Sequence, residues 1–186
     1  MVPASFHDFF SGCASVAAAL IGLLFVALSV SQERLTGPGA SPEHQVRAGA
    51  AFSALVNALV IALVALLPGA SLGEVGTATA AAGLVTTTGL IIVLFREGQE
   101  KIGRGDIRML ALLILLYGLQ LANAVVLDRS PHGTGAISNQ GVLAIFFFMF
   151  GIARSWQLVG ARNVTLASAV TAAIQRPPRG GGENDG

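Results

Sequence analysis

Five stretches of this sequence contain no Asp, Glu, Lys, Arg or His: residues 9–31, 48–68, 75–95, 109–127 and 133–153. About 20 helical residues, rising 1.5 Å each, cross a hydrocarbon core of roughly 30 Å, so every stretch is long enough to span a bilayer. In hydrocarbon the backbone must satisfy its own hydrogen bonds, which leaves only helices and closed β-barrels. A barrel would show short alternating segments of about ten residues, and none occurs. Composition agrees, because charged residues make up 11% of the chain and hydrophobic residues 53%. A typical soluble domain carries roughly 25% charge, and one of this size cannot bury five such runs beneath a polar surface. The expected fold is all-α: a polytopic membrane bundle of about five helices, with spans near 9–31, 48–68, 75–95, 109–127 and 135–157. Residues 1–160 then form one membrane unit, 161–175 an amphipathic interfacial helix, and 176–186 a disordered tail.

The first run reads as a retained helix rather than a signal peptide. Its leader carries no Lys or Arg, and its length exceeds the roughly 7–15 residues of a signal's apolar region. The fifth run is closed by Arg154, which is expected to snorkel to the interface. The connections are short: 32–47 is irregular, 68–74 is a tight turn, 96–108 is basic, and Pro131 breaks the chain after 127. No loop is large enough for a soluble domain.

Five crossings put 32–47, 96–108 and the C-terminal region on one side. That side holds Arg34, Arg47, Arg96, Lys101, Arg104, Arg108, Arg154, Arg162, Arg176 and Arg179, whereas the other holds only Arg129. The positive-inside rule therefore orients the N-terminus outside and the C-terminus in the cytoplasm. The same orientation puts Arg104-Gly105-Asp106, a cell-adhesion tripeptide, and the sequon Asn163-Val164-Thr165 on the cytoplasmic side, where neither has a role.

Small residues form ridges on three helices: Ser11, Ser15, Ala19 and Gly22; Ala54, Ala58, Ala62 and Ala65; and Gly76, Ala80, Gly83 and Thr87. Such ridges let helix backbones approach closely in lipid. Ser15, Ala19, Gly22, Gly76, Ala80 and Gly83 are the expected packing residues, either within the bundle or at an oligomer seam. The polar residues inside the spans are Asn57, the run Thr86, Thr87 and Thr88, and the pair Gln120 and Asn123. A threonine of that run is a candidate partner for Asn57. Together these six suit interhelical hydrogen bonds or the lining of a solute path. Phe6, Phe9 and Phe10 suit an interfacial anchor. Phe146, Phe147, Phe148 and Phe150 point in all directions around their helix, so at least some face lipid, as lipid-facing bulk or, for one or two of them, a hydrophobic gate.

The cores of the spans hold no Asp, Glu, Lys, Arg or His, which argues against proton-coupled transport and intramembrane catalysis. His7, Asp8, Glu74, Asp128 and His132 share one side, but their spacing specifies no metal site. A single cysteine, Cys13, excludes an intrachain disulfide and an all-cysteine metal site. The expectation is therefore no catalytic, cofactor or metal residue, and a net charge of +1 gives no reason to expect nucleic acid.

The opening Phe6-His7-Asp8-Phe9-Phe10, the run from Ala19 to Ser29, and the stretch 47–68 containing Asn57 resemble small bacterial five-helix membrane proteins to which no activity is assigned. The resemblance covers roughly the first 70 residues. It implies a bacterial cytoplasmic membrane and five helices, and carries over no activity and no site residues. The expected role is an accessory or structural subunit, partnered by lipid and by copies of itself or a larger membrane complex. The alternative is a small oligomeric channel or permease for a neutral or weakly selected solute.

Overall fold

The computed structural model describes residues 2–30, 42–96, 104–130 and 134–158. A 3-10 turn, Ala4–Phe6, leads into α1 (His7–Val30), followed by α2 (Pro42–Leu66), α3 (Leu72–Arg96), α4 (Arg104–Arg129) and α5 (Thr134–Leu158). All five are long and apolar enough to cross a membrane, and the described residues contain no strand. The chain is a multi-pass membrane helix bundle. The regions expected as an interfacial helix (161–175) and a tail (176–186), together with His132, lie outside the described residues.

α2 and α4 start five or more residues before the apolar runs that announce them. α2 begins at Pro42, where a fixed φ and a missing N–H suit the first turn of a helix. α4 begins at Arg104. Helix therefore takes up the last part of the expected irregular loop 32–47 and of the basic loop 96–108, carrying charged residues into the ordered bundle. Between α2 and α3 the turn is tight, as expected. Gly69 adopts φ 79°, a left-handed conformation open to glycine. Ser71 then accepts a hydrogen bond from the Glu74 amide at 3.2 Å, capping α3.

The helices alternate in direction, and α2 occupies the centre, touching all four others. Its alanine ridge explains the position: Ala54, Ala58 and Ala62 are fully buried and Ala65 nearly so. α3 and α4 form the closest pair, in constant antiparallel register. Gly73 lies against Asp128, Gly76 against Ala124, and Gly83 against the Tyr117 ring, where a Cβ would overlap ring atoms. The ridge Gly76, Ala80, Gly83 and Thr87 is thus consumed inside the chain.

α1 packs on α2 and, less extensively, on α5. Its buried residues Phe10, Cys13, Ala17 and Leu24 form one side, while Ser11, Ser15, Ala19 and Gly22 lie exposed on the opposite side. Two aromatic expectations change. Phe147, Phe148 and Phe150 point into the bundle and only Phe146 of that group faces outward, because α5 is enclosed by α1, α2 and α4. Phe10 is also fully buried, edge-on to the more exposed Phe9 at 5.2 Å.

Candidate functional site: two polar layers in an apolar bundle

Near mid-span, α2, α3 and α4 meet through amides. Asn57 Nδ2 donates to Gln120 Oε1 at 2.6 Å, and Gln120 Nε2 returns a bond to Asn57 Oδ1 at 3.1 Å. Gln120 Nε2 also reaches Thr79 Oγ1 at 2.9 Å and the Gly76 carbonyl at 3.2 Å. Both amides are buried, Gln120 completely. An amide without a partner would be costly in hydrocarbon, so reciprocal pairing is the arrangement expected of buried polar groups. One turn from Asn57, Ser53 Oγ and Tyr117 Oη lie 2.7 Å apart, sharing a hydrogen bond that either can donate. Gly83 admits the Tyr117 ring, which packs against Phe147 at 4.9 Å on its other flank.

Asn57's partners differ from the expected ones. Thr86, Thr87 and Thr88 donate to the carbonyls of Ala82, Gly83 and Leu84, one turn back in their own helix. The cause is register. Folding α3 back on α2 about the turn at Gly69 sets Asn57 level with Thr79, and Thr86–Thr88 nearer the opposite membrane face. Gln120 and Asn123 share a face of α4 but serve different neighbours. Asn123 Nδ2 donates across to α5, to the Ala136 carbonyl at 3.0 Å and to Gln140 Oε1 at 2.9 Å.

The second layer closes the end of the bundle where α1 finishes. Arg47 of α2 grips Asp106 of α4 with two parallel bonds, Nε to Oδ1 at 2.9 Å and Nη2 to Oδ2 at 2.7 Å. Arg154 of α5 donates Nη1 to Oδ1 of the same carboxylate at 3.2 Å, and its guanidinium lies 5.8 Å from the Phe150 ring centroid. All three residues are buried, Arg154 to 1% exposure. Arg154 therefore does not snorkel: it is turned into the bundle, where the Asp106 carboxylate accepts from it. The planar guanidinium fork is well matched to this shared, partly bidentate geometry.

Sequence reasoning missed this triad by treating Arg47 and Asp106 as loop charges and Arg154 as a residue that snorkels to the interface. The signal was present. Arg47 and Arg154 directly adjoin their apolar runs, Asp106 lies one helical turn before its own, and five crossings bring all three to one side. Neither layer contains a nucleophile paired with a base. Among the described residues no three His, Cys, Asp or Glu side chains gather closely enough to hold a metal ion. The chain matches no protein-family model, no curated protein and no solved structure, so the resemblance of its opening residues carries no family assignment.

Proposed function

We propose that this protein is a non-catalytic accessory or structural subunit of a bacterial cytoplasmic membrane that works by docking α1 against another transmembrane helix. The observation that carries this reading is the outward face of α1. Ser11, Ser15, Ala19 and Gly22 line it, and a side chain built at Gly12 or Gly22 meets nothing within 4 Å. The ridges of α2 and α3 are used up inside the chain; that of α1 is not. Against lipid, a shallow stripe of small residues gives up dispersion contacts that a facing helix would supply. The membrane orientation that goes with this reading is N-terminus out and C-terminus in, supported by the charge bias of the connections.

The solute-channel alternative draws less support, because Asn57, Gln120 and Asn123 direct their amides to neighbouring helices. Native mass spectrometry of the gently extracted protein tests the proposal. A companion is expected, either a second copy or one defined membrane subunit, and it should be released by Ser15→Leu with Gly22→Leu. A wild-type protein that emerges as a bare monomer contradicts the proposal.

A further inference from the structure

Between α2 and α3 a lateral cleft of about 350 Å³ opens toward the lipid. Phe52 and Ser53 stand on one wall, Thr79 and Gly83 on the other, and Asn57 and Tyr117 lie deepest. Its volume falls at the low end of ligand pockets, roughly 300–1,000 Å³, and it shares their character of an apolar lining with a few polar groups.

The hydrogen-bond inventory of these groups leaves donors in excess. Asn57 has two amide hydrogens, and only the one given to Gln120 has an acceptor among the described residues. Ser53 and Tyr117 have two hydroxyl hydrogens between them and one shared bond, so one hydrogen is left over. Ser53 and Asn57 stand four apart on α2, so both side chains lie on the face of that helix that lines the cleft, and Tyr117 lines it from α4.

Depth narrows the occupant. Asn57 lies about 2 Å along the helix axis from the midpoint of the span Gln45–Leu66, at 1.5 Å per residue. A phospholipid keeps its headgroup and ester carbonyls near the interface, about 15 Å from the centre of a 30 Å core, and offers only hydrocarbon here. An acceptor at this depth suits a molecule that dissolves in the bilayer interior while carrying hydrogen-bond-accepting oxygens, and a carbonyl, which accepts without donating, complements a site with surplus donors. We infer that the α2–α3 cleft binds a lipid-soluble carbonyl compound of the quinone class. Its ring lies between Phe52 and Tyr117, its carbonyl oxygens accept from Asn57 and from the Ser53–Tyr117 pair, and its tail runs out into lipid. The inference concerns binding alone and does not depend on the docking of α1.

The test is a titration of the full-length protein in phosphatidylcholine nanodiscs with decylubiquinone, measuring retained quinone against empty nanodiscs. Saturable binding of one quinone per chain is expected, weakened by up to about tenfold by Tyr117→Phe with Ser53→Ala, which removes the one leftover hydroxyl hydrogen. Ala82→Leu, an exposed substitution that fills the cleft and leaves the amide network intact, should abolish binding, with circular dichroism confirming the fold. Decylbenzene, which has no acceptor, should fail to compete. The inference is overturned by equal binding of decylbenzene, by no saturable binding to the folded wild type, or by binding that the folded Ala82→Leu variant retains.

Discussion

Asp106 is the residue on which one end of the bundle depends. Two guanidiniums converge on it from α2 and α5, so removing the carboxylate takes a buried anionic partner from both at once. Breaking a buried ion pair by deleting one partner typically costs about 3–5 kcal/mol. Asp106→Ala should therefore lower unfolding stability by about that amount in a detergent–denaturant titration, whereas a loss under 1 kcal/mol would show that the triad is solvated. The mid-span amides carry less. Asn57→Leu should cost roughly 1 kcal/mol by the same titration, in the range found for interhelical hydrogen bonds in membranes. Much of this was legible in the residues. Asn57, Gln120 and Asn123 announce themselves as amides in apolar runs, but their partners depend on register. Thr79 looks no different from Thr86 until the hairpin is folded about Gly69.

At the scale of elements, the apolar runs located all five helices, because in lipid a charge-free stretch of sufficient length has only one backbone solution. They did not locate the helix starts at Pro42 and Arg104, since the residues between each start and its apolar run are mostly polar. Nor did the three small-residue ridges, alike in sequence, reveal their separate fates. Which ridge turns inward is decided by neighbours: α2 is central, α3 pairs with α4, and α1 has helices on one side only. Leucine at Gly83 would meet the Tyr117 ring with no room to relax. Overpacking of this kind costs about 1–3 kcal/mol. Gly83→Leu should thus destabilise the single chain in a thermal unfolding assay, while Ala19→Leu on α1 should leave that stability unchanged. Equal effects would mean that the two ridges share one environment.

For the whole molecule, five spans and the bias of basic residues predict the turn at Gly69 outside and Arg96 inside. In a Cys13→Ser background, cysteines introduced at Gly69 and at Arg96 should label from opposite sides of intact cells and inverted vesicles with an impermeant thiol reagent. Labelling of both from one side would contradict the arrangement. The bundle uses the small-residue ridges of α2 and α3 internally and leaves the stripe on α1 without a helix against it, and the proposed role follows from that asymmetry. Photo-cross-linking in the native membrane tests it most directly, with a photoreactive amino acid placed at Ala19 on the stripe and, as a control, at Val85, an outward position on α3. The account predicts one discrete product from Ala19, containing a second copy or a single membrane subunit, and only lipid adducts from Val85. Lipid adducts alone from both positions would contradict it.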